Sequence, residues 1–122
     1  MSRDDLVRVA VPAPLLDPLT YAVPEALAPR VVPGARVRVP LGRRRAVGLV
    51  LERTDEAPSG VALRPVDDAL DPEGRPAVPA DLLATLRWAI EHYIAPPGDV
   101  VRAALPAALA PAPGGGGARA RG

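Results

Sequence analysis

Apolar residues recur along this chain at two spacings, every second position through the first half and at helical intervals after Pro79. Val7, Val9 and Val11 share one side of a first strand over Leu6–Val11, which Pro12 ends. Three prolines in the run 12–18 make a stiff, extended connector rather than a helix. Leu19–Val23 reads as a short second strand stopped by Pro24, and Pro33-Gly34 suits the central positions of a type II turn. Beyond it, Val37 and Val39 alternate with Arg36 and Arg38, the signature of a half-buried strand. Ala46–Leu51 is nearly all apolar, which suits a strand covered on both faces. Between the two runs Pro40 has no amide hydrogen to give a ladder and Gly42 permits positive φ. The pattern therefore predicts a hairpin whose tip, Gly42–Arg45, presents backbone and three guanidiniums to solvent. Such a tip has two readings, a solvated loop that keeps the chain soluble or a contact surface.

Thr54–Gly60 is polar, Leu63–Val66 predicts a short fifth strand with Arg64 opposite its apolar neighbours, and Asp71–Pro76 is a further loop. Short strands between Pro/Gly turns point to a small, partly open barrel or sandwich. Leu82, Leu86, Ala89, Ile90 and Tyr93 then form a helical stripe facing a core. Pro79 is tolerated at the start of this helix, and Asp81 in its first turn favours the positive end of the dipole. Pro96-Pro97-Gly98 stops it, and Asp99–Leu105 predicts a second, short helix capped by Asp99 and ended by Pro106. The expected fold is mainly β within the α+β class: a small, partly open barrel-like domain over residues 1–109, followed at its end by one longer and one short helix. Residues 110–122, rich in Pro, Gly and Arg, read as a flexible linker or tail.

Composition narrows the chemistry. Of 122 residues 48% are hydrophobic, and 15 basic against 14 acidic side chains leave a net charge of +1, so any nucleic-acid contact should be local. All 15 basic residues are arginine and lysine is absent, a skew that fits codon bias and carries no functional weight. Without cysteine these residues hold no disulfide, thiolate nucleophile or Cys-based zinc site. Neither a secretory signal nor a membrane span is visible, so a soluble, cytoplasmic module is expected. His92, the one histidine, reads as a packing residue beside Tyr93. Ser2 and Ser59 lie outside any nucleophile elbow, and no phosphate-binding Gly/Lys motif occurs. The pairs Asp67-Asp68 and Asp55-Glu56 sit at loop edges, where solvation explains them. No enzyme active site is indicated. Coating a single strand calls for several stacking aromatics, each worth about 1–3 kcal/mol per base. Tyr21, Trp88 and Tyr93 are the only aromatics, and they read as core and scaffold. A pocket for one terminal nucleotide needs less: backbone groups, a hydroxyl partner and nearby arginines.

Several phrases, taken in order, then carry a resemblance. They are Val9-Ala-Val-Pro12 with Pro14-Leu15, Leu19-Thr20-Tyr21, and Pro33-Gly-Ala-Arg-Val-Arg-Val-Pro-Leu-Gly42. Val47-Gly-Leu-Val, Arg64-Pro65-Val66 with Asp71, Trp88-Ala-Ile-Glu-His-Tyr93, Pro97-Gly-Asp-Val-Val and Ala104-Leu-Pro106 follow. From about Leu6 to Leu109 the chain resembles the amino-terminal DNA-binding domain of the PriA family, the bacterial replication-restart helicases. The resemblance implies capture of the 3′-hydroxyl end of a nascent leading strand at a stalled fork. It implies a pocket made mostly of backbone from Leu19-Thr20, Gly42 and Arg64, with Arg43, Arg44 and Arg45 close enough to meet phosphates. Implied partners are forked or single-stranded DNA with a 3′ end, helicase domains, single-strand-binding protein and other primosome proteins, in a cytoplasmic, nucleoid-associated setting.

Two departures qualify that picture. The family often has an aspartate before the tyrosine, whose carboxylate accepts the terminal hydroxyl's hydrogen bond; here that position is Thr20. A charged acceptor is roughly twice as strong, so terminal selectivity is expected to be weaker, with Asp17 an alternative acceptor. The ATP-driven helicase and cysteine-bound zinc of the longer family proteins lie in regions outside these residues, and no cofactor is expected here. The rival reading is a protein-interaction module, its hairpin and tail docking on helicase or primosome partners without touching DNA.

Overall fold

Alternating valines build the first strand of the computed structural model, which describes residues 6–58 and 63–110. Strand β1 (Leu6–Ala10) turns Val7 and Val9 inward, and Val11 continues their face into one apolar cluster. It pairs antiparallel with β2 (Leu19–Ala22) on one side and β4 (Arg44–Thr54) on the other. Strand β3 (Arg36–Leu41) pairs with β4 and with the two-residue β5 (Asp68–Ala69). The sheet order is β2-β1-β4-β3-β5. Among the described residues no helix is long and apolar enough to cross a membrane. The tail reading from Pro111 onward, Ser2, Ser59 and the end of the 54–60 loop lie outside the described residues.

The fifth strand forms later than its hydrophobic pattern suggests. Pro65 makes only an isolated parallel bridge to Ala22, and the named strand is Asp68–Ala69, not Leu63–Val66. Alternation turns the Pro65 nitrogen to the β3 side, where without an N–H it cannot extend the ladder that Asp67 begins. This ribbon bonds β2 first, through Ala22 N–H to Arg64 O (2.9 Å) and Val66 N–H to Ala22 O (2.9 Å). It then crosses to β3, through Asp67 N–H to Arg38 O (2.8 Å) and Leu70 N–H to Arg36 O (2.9 Å). One ribbon thus spans both edges and curls the sheet into a partly open barrel.

Two cores follow from that curl. Val7, Val9, Val37, Val39 and Val50 fill the inside, together with Tyr21. Leu49, Leu51, Val78, Leu83, Leu86 and Val101 form the outer core under the helices. Strand β4 feeds both, Val50 inward and Leu49 and Leu51 outward, which is why its sequence is almost unbroken apolar. Pro40 does not end β3, contrary to the expectation. The carbonyls of Arg36 and Arg38 face the β5 side, so by alternation the missing Pro40 N–H faces that side too, past the end of β5. No bond to β4 is lost.

Helix α1 (Ala80–His92) and helix α2 (Pro97–Ala104) cover the outer face. Leu83 and Leu86 are the buried residues of α1, with Leu82 and Ile90 partly buried. Tyr93 does not join them: it is extended (φ −102°, ψ 144°), so helical spacing no longer places its side chain, which is 59% exposed. Helix α2 begins at Pro97 rather than Asp99, because proline's missing amide hydrogen costs nothing in a first turn. Asp99 makes no capping bond and instead pairs with Arg102 at 2.7 Å. A 3-10 helix over Glu25–Arg30, without a periodic signal, completes the described elements.

Candidate nucleic-acid interface

The open end of the barrel is closed by side chains where the backbone ladder runs out. Three β3-edge carbonyls, at positions 36, 38 and 40, lie on one side at alternate residues. The first two take backbone N–H groups from the 64–70 ribbon. The ribbon has left β3 by the level of Pro40, and there the buried Tyr21 hydroxyl donates to the Pro40 carbonyl at 2.7 Å. One step further, the Arg64 guanidinium donates to the Gly42 carbonyl at 2.9 Å. Gly42 and Arg64, 22 residues apart in sequence, are therefore in direct contact.

The hairpin tip is tighter than expected. Leu41 pairs with Arg44, so the loop is Gly42 and Arg43 alone, and Arg44 and Arg45 belong to β4. Gly42 holds φ +64°, a conformation that disfavours any Cβ, and nothing stands within 4 Å of where one would be. The three arginines are not equivalent. Arg45 is tied to Asp67 at 2.9 Å, which makes Asp67 an ion-pair partner rather than the merely solvated acid its sequence context suggests. Its neighbour Asp68 pairs more loosely with Arg38, at 3.7 Å. Arg43 and Arg44 are exposed and make no ion pair among the described residues, so they are the two guanidiniums left for an anion.

Leu19 packs half-buried against the inner core, whereas Thr20 alternates to the outer face beside its partner Arg8. The backbone of Ala22 is engaged by Arg64 and Val66, so the N–H and C=O of Thr20 face the same edge, about 7 Å along the strand. No backbone bond to them occurs among the described residues. Among the described residues Thr20 is linked to the Gly42–Arg64 contact indirectly, through the Ala22–Arg64 bond on one side and the Tyr21–Pro40 bond on the other. Asp17 faces elsewhere, into a cleft of about 180 Å³ with Arg8, Glu52 and Arg87. In that cleft Glu52 accepts from Arg8 at 2.8 Å and from Arg87 at 2.9 Å, joining β1, β4 and α1.

Burial pushes the Tyr21 phenol above its ordinary value of 10.0; nearby Arg64 opposes the shift and Asp67 adds to it. A raised folded-state value means stability that is fully present below pH 10.0 and is lost as the pH climbs through the folded value. Thermal melts at rising alkaline pH should show wild type losing stability more steeply than Tyr21→Phe. Parallel curves would mean the hydroxyl is not held protonated by the fold.

Of the aromatics, Tyr21 is core as expected, but Trp88 (53% exposed) and Tyr93 are not. Trp88 stacks on His92 at 4.4 Å between centroids and meets Tyr93 edge-on at 5.9 Å. His92 also holds its Nδ1 2.8 Å from the Trp88 carbonyl, a packing role on the surface. Among the described residues no group of His, Asp or Glu is placed to hold a metal ion. The Tyr21–Pro40 bond and the Arg45–Asp67 pair escaped sequence reasoning, since neither partner's local pattern points to the other. A family model described as the 3′ DNA-binding domain (3′BD) of PriA matches residues 8–106.

Proposed function

The chain belongs to the PriA 3′ DNA-binding domain family, a DNA-binding and non-catalytic module, and from that premise we propose that it holds the 3′-hydroxyl end of a DNA strand. The observation that carries this reading is the Gly42–Arg64 contact at the barrel mouth, beside the β2 edge at Thr20, which takes no backbone bond from outside its strand pairing among the described residues. Backbone groups of Thr20, Gly42 and Arg64 line the terminal nucleotide, which tolerates any of the four bases, whereas those of Leu19 alternate towards β1. The Thr20 hydroxyl accepts the bond from the terminal hydroxyl. Arg43 and Arg44 take backbone phosphates, whereas Arg45 is already neutralised by Asp67. Two phosphate contacts on a single strand give a log–log salt slope of about −1.4. The biological strand is the nascent leading strand at a stalled fork, within replication restart and primosome assembly.

Fluorescence anisotropy on a forked DNA, comparing a free 3′-hydroxyl with a 3′-phosphate at matched salt, tests the reading. The hydroxyl end should bind more tightly, and Thr20→Asp should widen the difference by about 1 kcal/mol, because a charged acceptor strengthens the bond. Arg43→Ala with Arg44→Ala should flatten the salt slope while sparing the preference. Equal affinity for the two ends would reduce the function to arginine–phosphate contact. The exposed Trp88–His92–Tyr93 cluster favours a second reading, a docking module for helicase or primosome proteins, and absence of DNA binding would select it.

A further inference from the structure

We propose that the Tyr21 hydroxyl is a positioning group for end recognition, holding the β3–β4 hairpin tip at a fixed distance from the β2 edge. The inference rests on the 3′-end reading. The Tyr21 ring is only 4% exposed and already fills the inner core, so packing alone would be served as well by phenylalanine. Instead the phenol oxygen is taken out of water and spends its bond on the Pro40 carbonyl, itself buried. A buried hydroxyl left unpaired is costly, so this bond fixes a geometry rather than merely filling space.

The position in the fold says which geometry. Tyr21 follows Thr20 directly, and alternation sends Tyr21 inward to the hairpin while Thr20 sits at the outer edge. Pro40 stands two residues before Gly42, the first residue of the turn. The bond therefore joins the neighbour of one recognition point to the neighbour of another. Arg64 makes the adjacent bond from the third point, to Gly42 itself. Where the 64–70 ribbon can no longer reach β3, these two side chains take over its ladder. Of the two, only the Tyr21 hydroxyl is sequestered from DNA, so its influence on binding must pass through the hairpin.

Tyr21→Phe removes the hydroxyl and keeps the ring. The ratio of 3′-hydroxyl to 3′-phosphate affinity on forked DNA should fall roughly tenfold, the scale of one lost buried hydrogen bond. The salt slope should stay that of wild type, because Arg43 and Arg44 are untouched. Hydrogen exchange at the Arg44 and Ala46 amides, which alternation pairs with β3 at the tip, should quicken while that of β1 stays slow. An unchanged ratio in Tyr21→Phe beside a discriminating wild type overturns the positioning role and leaves end recognition standing. Loss of binding that merely tracks the folded fraction by circular dichroism assigns the hydroxyl to stability and also overturns it. A wild type indifferent to the end overturns both together.

Discussion

Replacing Asp71 with alanine should destabilise the domain by about 2–4 kcal/mol, a large part of the roughly 5–15 kcal/mol that holds such a fold. Asp71 is the one buried acid of the described residues, at 4% exposure. Its carboxylate accepts the Arg36 backbone N–H at 2.8 Å and the Arg36 guanidinium at 2.7 and 3.1 Å. Removing it leaves a backbone donor and a cation without their partner in one step. Arg36 keeps a side chain 31% exposed, so water partly re-solvates the orphaned charge, and the loss should fall below the full cost of breaking a fully buried pair. Asp71→Asn retains an oxygen for the Arg36 N–H and should cost less than alanine. Urea denaturation followed by circular dichroism gives the order, and an unchanged midpoint for Asp71→Ala would refute the buried pair. The consequence reaches the DNA site. Arg30 donates to the Asp71 and Ala69 carbonyls at 3.1 and 2.6 Å, so positions 69–71 anchor the ribbon whose start is Arg64.

Local chemistry made much of this architecture readable. The period-two valines of β1 and the two-faced β4 follow from alternation alone and stand at the expected places, while the Pro-Leu-Gly hairpin turns where expected but with Pro40 inside β3 and a two-residue tip. The misreadings share one cause, a contact or chain direction set from far away. The stretch at Pro65 bonds β2 before it reaches β3, so the named strand starts at Asp68 rather than at Leu63. Helical spacing places Tyr93 on the apolar stripe, yet the helix ends one residue earlier. Arg45 looks identical to Arg43 and Arg44 until Asp67 arrives from 22 residues downstream. The candidate residues could be named from the sequence through family resemblance alone. The joining bonds, from Tyr21 to Pro40 and from Arg64 to Gly42, exist only once the barrel has closed.

Gly98→Ala sets two effects of opposite sign against each other, and the clash should win by about 2 kcal/mol. Alanine is favoured over glycine within a helix by at most about 1 kcal/mol, and less in a first turn. Against that, Gly98 is buried where α2 meets the chain leaving β1. A Cβ there would run into the Val11 carbonyl oxygen, with Val11 C at 3.0 Å and Pro12 Cα at 3.2 Å. These are backbone atoms, which cannot step aside by changing rotamer, and Pro12 stiffens the segment that carries them. Relief has to come from α2 shifting outward, which strips contacts from Val101, now 0% exposed, in the outer core. Overpacking of this kind costs about 1–3 kcal/mol, and a backbone obstacle belongs at the upper end. Gly74→Ala is the control: its φ of +80° penalises a side chain, but nothing lies within 4 Å, so it should lose only about 1 kcal/mol. Denaturation midpoints should therefore rank wild type first, Gly74→Ala second and Gly98→Ala last. A Gly98→Ala chain as stable as wild type would mean that helix propensity decides at this position and that α2 does not depend on close approach to β1.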